Sequence, residues 1–333
     1  MTDERSDPNR KKIIGMLKLC VSAVLLLIVW RSAASGGDLV ETLRGANPLL
    51  LVVAAATFAA GQAVAALRLH YILLRLRRRV GFPTVLRAHF IGIWFNQLLP
   101  TGFGGDIVKL LVLRRPGDTL RFTRAVLLGR AFGLTALLLA AILLVPFYGT
   151  VLTRTRPFHA IALVSLAGLA GLGIGVIVAG NRNLTGKLAR PLKFIFLLLQ
   201  DMRRFARGRP FVEQVVTSGL VVLSVVACFV ILGWALGRPI GFATCLVIVP
   251  PIIVSMHLPL SYGGWGIREV GAVALLPFGG IPPDIAFLMS LLYGLVILVS
   301  GLAGLVLWHM PGSRRLTRGG NPVRDKPSTE DAA

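Results

Sequence analysis

Several charged residues lie within otherwise apolar segments of the chain, where a charge needs either a partner or a function, and five of them form a candidate site. Asp106 and Lys109 share one such segment, Arg268 and Glu269 share another, and Arg130 stands alone in a third. A charge at the centre of a lone membrane helix costs roughly 2.5 to 3.5 kcal/mol. We therefore expect the three basic side chains to bind an anion such as a phosphate, and the two acids to hold those bases or gate the site. Internal ion pairs that only stabilise the segments are the alternative.

The two segments that contain the acids share a motif. The first reads "LLPTGFGGDIVKL" and the second "HLPLSYGGWGIREV", and in each a Leu-Pro pair, a Gly-Gly pair and a basic residue follow one another at the same spacing. Proline removes a backbone donor and glycine allows dihedral angles that other residues avoid, so the pattern predicts a break between two helices. The residues assigned to the two breaks are Pro100, Gly102, Gly104, Gly105, Pro259, Ser261, Gly263, Gly264 and Gly266. Asn96 and Gln97, one turn before the first break, are expected to cap a cavity wall or to hydrogen-bond across helices.

Length and composition place these segments in a membrane. Of the 333 residues, 55% are hydrophobic and only 15% are charged, and apolar runs of about 18 to 25 residues recur along the chain. The runs lack the alternation of a transmembrane barrel, so we predict an all-α polytopic membrane protein. The predicted full spans are Ile13 to Trp30, Leu49 to Leu67, Ala125 to Phe147, Ala160 to Ala179, Val212 to Leu236 and Ile285 to Trp308.

Two further hydrophobic stretches, Val85 to Leu113 and Phe242 to Leu276, are too broken to cross as single helices. If both are re-entrant hairpins, the segments assigned to the cytoplasm hold 27 basic residues and the outside segments five. Cytoplasmic loops carry the excess of Lys and Arg, which favours this layout and places both termini in the cytoplasm. The hairpins then point in from opposite faces as a pseudo inverted repeat, with their tips lining a cavity near the midplane. Two full crossings of each stretch fit the charges equally well.

The remaining segments are predicted from composition. We expect a cytoplasmic N-terminal segment over 1–12, a membrane domain over 13–309 and a disordered cytoplasmic tail over 310–333. A cleaved signal peptide is the alternative for the first span. The segment Lys187 to Arg207 is interpreted either as an amphipathic helix at the membrane surface or as a basic loop.

Several function classes are disfavoured by the sequence. The net charge of +22 is concentrated in short segments between apolar runs, as expected for topology and anionic lipid rather than for nucleic-acid binding. The three cysteines fall in apolar runs and predict no disulfide framework. We expect no cofactor, no metal ligands and no catalytic residues, and the absence of a P-loop argues against intrinsic transport driven by ATP.

The two motifs resemble those of the lysylphosphatidylglycerol synthase transmembrane-domain family, a group of flippase-like membrane proteins. The first family motif is filled by Asn96, Leu99, Pro100, Gly102, Gly104, Gly105, Asp106 and Lys109, with Lys at a position that is more often Arg. The second is filled by Pro259, Ser261, Gly263, Gly264, Gly266, Arg268 and Glu269. The resemblance covers about residues 10 to 310, and it implies a bundle that moves lipids.

In this family, fused members carry a separate soluble aminoacyltransferase domain, which the resemblance does not extend to here. We therefore expect a transporter rather than an enzyme, and specifically a lipid flippase in a bacterial plasma membrane. Its expected substrates are an anionic or aminoacylated phospholipid or a polyprenyl-phosphate-linked lipid. We consider two protein partners, a second copy of the chain in a homodimer or a separate lipid-modifying synthase. A membrane transferase that uses a lipid-phosphate donor, or a non-catalytic subunit of an envelope-synthesis complex, is the alternative.

Overall fold

Helices form the whole framework of the described part of the chain. A computed structural model describes residues 20, 22–24, 27, 39–99, 104–114, 118–143, 156–178, 190–257 and 263–309. Its helices are α1 (Leu39–Arg44), α2 (Pro48–Arg75), α3 (Phe82–Leu98), α4 (Gly104–Leu113), α5 (Thr119–Leu143), α6 (Arg156–Val178), α7 (Arg190–Phe205), α8 (Gly208–Ala235), α9 (Phe242–Ser255), α10 (Ile267–Leu275) and α11 (Pro283–His309). A 3₁₀ turn, Leu276–Gly279, joins α10 to the loop before α11.

Four of these helices are long and apolar enough to cross a membrane, which confirms a multi-pass membrane protein. They are α2, α8, α11 and the Thr119–Ile142 part of α5, and each contains most of a predicted span. A helix of 28 residues is about 42 Å long, which exceeds the roughly 30 Å of bilayer hydrocarbon. The predicted span Ala160 to Ala179 falls in α6, whose described apolar part is Leu166–Val176. The first predicted span and the C-terminal tail lie largely or wholly outside the described residues.

The outer faces of the long helices are apolar, as contact with lipid requires. On α2 and α8 the exposed side chains include Leu49, Val52, Val212 and Val216, each more than half exposed. In water such a surface would be strongly unfavourable, but in a bilayer it faces acyl chains. Helix α11 is instead the most deeply buried of the four and packs in the middle of the bundle.

Both broken stretches form two helices that fold back on each other. In the first, Gly105 of α4 lies so close to Gly92 of α3 that a Cβ at Gly105 would overlap the Gly92 carbonyl oxygen. In the second, a Cβ at Gly271 of α10 would lie 3.6 Å from the Ser255 hydroxyl at the end of α9. Helix α4 has 10 residues and is about 15 Å long, half the hydrocarbon thickness. This length fits the predicted re-entrant path, in which the hairpin enters the bilayer and returns to the same side. That path remains a prediction.

Basic segments assigned to the cytoplasm gather at one end of the bundle. Three ion pairs connect these segments: Arg75–Glu213, Arg78–Asp118 and Arg124–Asp201. Arg87 joins the same end, because its Nε donates to the carbonyl of Leu307 at 3.0 Å. The segment Lys187 to Arg207, which was interpreted either as a helix or as a basic loop, contains helix α7. Phe196 and Met202 of α7 are buried against the bundle.

We expect Gly304→Ala to destabilise the bundle, because α11 approaches α3 most closely there. A Cβ at Gly304 would overlap the Phe90 carbonyl oxygen and lie 2.8 Å from the amide nitrogen of Ile91. Overpacking of this kind typically costs about 1 to 3 kcal/mol. Thermal unfolding of the purified protein in detergent measures the loss. Gly171→Ala is the control, because in the described part of the chain no atom beyond the backbone of its own helix lies within 4 Å of a Cβ there. An unchanged Gly304→Ala protein would contradict the close approach.

Candidate functional site: a basic cavity between two helical hairpins

A cavity of about 290 Å³ lies where the two helical hairpins meet the long helices. Its walls come from α2, α3, α4, α5, α8, α9 and α11, together with Gly263 and Gly264 just before α10. The polar side chains that line it are Gln62, Arg68, His89, Asn96, Gln97, Asp106, Lys109, Arg130, Ser218 and His257. A mixed lining of this kind, apolar with convergent polar groups, is typical of a ligand site.

Asp106 bridges two of the three basic residues that were predicted to bind an anion, Lys109 and Arg130. Its Oδ1 accepts from Lys109 Nζ at 3.1 Å and its Oδ2 from Arg130 Nη1 at 2.8 Å. The carboxylate also stands in the first turn of α4, where the helix dipole favours a negative charge. All three side chains are between 15% and 23% exposed, so the cluster borders the cavity rather than lying under it. One carboxylate therefore holds two cations, which leaves the cluster with one net positive charge.

Asn96 and Gly92 position this cluster from the opposite helix of the hairpin. Asn96 Oδ1 accepts from the backbone N–H of Gly105 at 3.4 Å, which satisfies one donor at the start of α4. The missing side chain of Gly92 leaves room for Lys109, whose aliphatic carbons would overlap a Cβ at that position. The glycine and the asparagine thus bring α4, and with it Asp106, against α3.

The second hairpin contains a buried ion pair rather than a cavity-lining one. Arg268 and Glu269 are 1% and 0% exposed, and Arg268 Nε lies 3.0 Å from both Glu269 Oε1 and Ser290 Oγ. The second carboxylate oxygen of Glu269 accepts from the Gly266 N–H at 2.6 Å and so caps α10. The Arg268 guanidinium also lies 4.8 Å from the ring centre of Trp265, within cation–π range. Arg268 is thus not among the residues that line the cavity with Lys109 and Arg130, and in this conformation its side chain is paired with Glu269.

The two hairpins contact each other directly at the cavity. Trp265 Nε1 donates to Gln97 Oε1 at 3.2 Å, and a Cβ at Gly263 would lie 3.4 Å from the same oxygen. Gly263 has φ = +58° and Gly264 has φ = +83°, a region that favours glycine over residues with a side chain. The backbone of the second break therefore approaches the end of α3. Pro100, Gly102, Pro259 and Ser261, the remaining predicted tip residues, lie outside the described residues.

A double-mutant cycle on Gln97→Leu and Trp265→Phe should detect this contact between hairpins. Each variant removes one side of a partly buried hydrogen bond, and we expect the pair to be coupled by about 0.5 to 1.5 kcal/mol. Thermal or denaturant unfolding in detergent supplies the four free energies of the cycle. Strictly additive effects would show that the two hairpins do not touch at these residues in solution.

Sequence reasoning missed several polar residues of the cavity, above all Arg68. We predicted that the second span ends at Leu67, but α2 continues to Arg75 and places Arg68 in the cavity wall. The apolar run that resumes after Arg68 was the available signal. His89 is also there, with its Nε2 3.1 Å from Gln62 Oε1. Neither Arg68 nor His89 belongs to the repeated motif. Their positions in the cavity wall depend on packing between helices that are distant in sequence.

Comparison with known families gives a match over almost the whole membrane region. The model of the lysylphosphatidylglycerol synthase TM region matches residues 15–304, which include both hairpins and most of α11. The chain belongs to this family. No curated protein matches the chain. Membership in the lysylphosphatidylglycerol synthase TM family agrees with the multi-pass helical bundle and implies contact with membrane lipids.

Proposed function

We propose that this member of the lysylphosphatidylglycerol synthase TM family moves a phosphate-bearing lipid between the leaflets of a bacterial plasma membrane. The observation that carries the proposal is the cluster in which Asp106 holds Lys109 and Arg130 at the border of a cavity between two hairpins. Basic side chains of this kind bind phosphate oxygens through charge-assisted hydrogen bonds. The Asp106 carboxylate aligns Lys109 and Arg130 at the cavity, and a lipid phosphate would replace that carboxylate as their partner.

The size of the cavity supports transport of the headgroup alone. A volume of about 290 Å³ is close to the lower end of small-molecule sites, and it is too small for a headgroup together with two acyl chains. The tails would remain in the bilayer along the apolar outer faces. Only the polar part of the lipid then crosses the protein interior, which is the step that a bilayer resists most.

Alternating exposure of the cavity would come from the two hairpins. They meet through Gln97 and Trp265, so opening on one side requires this contact to break or slide. The buried pair of Arg268 and Glu269 keeps α10 rigid behind the second break. We assign Arg268 a positioning role in this conformation, and contact with a headgroup would need that pair to separate.

Orientation and partners follow from the same proposal. The end of the bundle where the ion-paired basic segments gather would face the cytoplasm, with both termini on that side. The protein would act either as a homodimer or beside a separate lipid-modifying synthase that supplies its substrate.

Translocation in proteoliposomes tests the function. Fluorescent phosphatidylglycerol, its lysyl form and an undecaprenyl-phosphate sugar are placed in both leaflets, and a membrane-impermeant quencher measures exchange from the inner leaflet. We expect at least one of these lipids to exchange faster than in protein-free vesicles. A chemically altered headgroup would instead support a transferase, and no effect on any lipid would favour a subunit that needs a partner.

A further inference from the structure

Arg68 is a buried cation in the cavity wall without an acidic partner among the described side chains. It is only 8% exposed, and its Nη1 donates to Ser218 Oγ at 3.0 Å. Its Nε is buried and has no hydrogen-bond partner within the described structure. A buried guanidinium donor without a partner is costly, and an anion in the cavity would satisfy it.

The surroundings of Arg68 leave room for such an anion. Ser218 is 4% exposed, and because its oxygen accepts from Arg68, its own hydroxyl proton remains to be donated. On the other side, a Cβ at Gly133 would lie 3.0 Å from Arg68 Nη2, so the guanidinium rests against the backbone of α5. Gly133 is about one helical turn, ~5 Å, from Arg130 along that helix. Along α5 the two basic positions are therefore close enough for one ligand to contact both.

The charges that line the cavity do not cancel. Among the described lining residues, Arg68, Lys109 and Arg130 face a single acid, Asp106, which leaves two positive charges with the histidines taken as neutral. Charges in a membrane interior need compensation, because water is scarce and the effective dielectric constant is low. A ligand with two negative charges would complete the balance.

We propose that Arg68 and Ser218 form a second anion-binding position in this cavity. With Lys109 and Arg130 they select a phosphate group that carries two negative charges, as a phosphomonoester or a diphosphate does. The assignment of this group to a lipid rests on the proposed function, whereas the binding chemistry does not. A headgroup with an added lysine carries a net positive charge and is disfavoured at this site.

Equilibrium binding to the full-length protein in detergent at pH 8 tests the proposal. The probes are phosphatidic acid, which is a phosphomonoester, phosphatidylglycerol, which is a phosphodiester, and lysyl-phosphatidylglycerol. We expect phosphatidic acid to bind roughly 10- to 100-fold more tightly than the other two, as expected for an additional charged hydrogen bond. Arg68→Gln should abolish this preference, and Arg68→Lys should retain most of it because it keeps the charge. Arg75→Gln, on the same helix but paired with Glu213, should leave the preference unchanged.

Equal binding of the three lipids by the intact protein, or an unchanged preference in a folded Arg68→Gln variant, would overturn the proposal. Glycerol 3-phosphate as a competitor identifies the source of the phosphate. Weak competition assigns the site to lipids, and strong competition assigns the same dianionic chemistry to a soluble phosphate. The result is independent of transport, since a protein that moves lipids without charge preference keeps the proposed function and loses this inference. A protein that prefers phosphatidic acid but moves no lipid keeps this inference and loses the proposed function.

Discussion

Arg268→Gln should be the most destabilising single substitution among the charged residues of the two hairpins and the cavity. It removes the guanidinium from Glu269, which is 0% exposed. Within the described residues, the carboxylate inside the bundle then keeps Ser290 and the Gly266 N–H as its partners. Breaking a buried pair by removing one partner costs about 3 to 5 kcal/mol. We expect a large drop in the midpoint of thermal unfolding in detergent and a matching loss of folded protein.

Two variants show whether the cost comes from the unpaired carboxylate. Arg268→Gln combined with Glu269→Gln should recover part of the stability, because no buried charge is then left alone. Arg209→Gln breaks the pair with Glu213 at a side chain that is 86% exposed, and such surface pairs contribute about 0 to 1 kcal/mol. If Arg268→Gln unfolds no earlier than Arg209→Gln, the second hairpin does not depend on this pair.

Asp106→Asn should slow translocation about tenfold or more while the protein stays folded. The substitution leaves Lys109 and Arg130 without their shared carboxylate, so the cavity gains one positive charge. An anionic headgroup would then bind more tightly, and because the Asp106 carboxylate no longer competes with it for the two bases, it would leave more slowly. A tenfold change corresponds to about 1.4 kcal/mol, less than hydrogen bonds to charged groups typically contribute. Lipid exchange in proteoliposomes and equilibrium lipid binding measure the two opposite effects.

Asp118→Asn is the matched control for this prediction. Asp118 pairs with Arg78 at one end of the bundle and does not line the cavity. It should therefore transport lipid at the rate of the intact protein. An Asp106→Asn protein that transports equally fast, or that binds anionic lipid more weakly, would show that the carboxylate takes no part in headgroup release.

The sequence predicted the membrane helices well because their signal is local. A run of apolar residues without charges has one stable solution in a bilayer, so α2, α5, α8 and α11 follow from composition. The breaks were predicted for the same reason, since proline and paired glycines act on the backbone where they stand. The contact of Asp106 with Lys109 also follows from their spacing of three on one helix.

The parts of the site that the sequence did not reveal depend on packing between distant segments. Arg68 meets Ser218 only because α2 and α8 pair along their length, and nothing in the spacing of either residue indicates it. The same holds for the contact of Gln97 with Trp265. The different surroundings of Lys109 and Arg268, which occupy matching positions of the repeated motif, could not be read from the sequence either. Helix α4, which carries Lys109, packs on α3 and α5, whereas α10, which carries Arg268, packs on α9 and α11.

Blocking the cavity in the folded protein tests the central claim most directly. Val221 lines the cavity from α8, Cys228 and Cys245 are buried, and replacing the exposed Cys20 by serine removes the background thiol. The Val221→Cys protein is reconstituted into proteoliposomes, and lipid exchange is measured before and after treatment with a bulky, water-soluble thiol reagent. Ala206→Cys, on the exposed segment before α8, is the control. If headgroups cross through this cavity, labelling at position 221 reduces exchange to the protein-free rate and labelling at 206 does not. Undiminished exchange by protein labelled at 221 would show that lipids take another path.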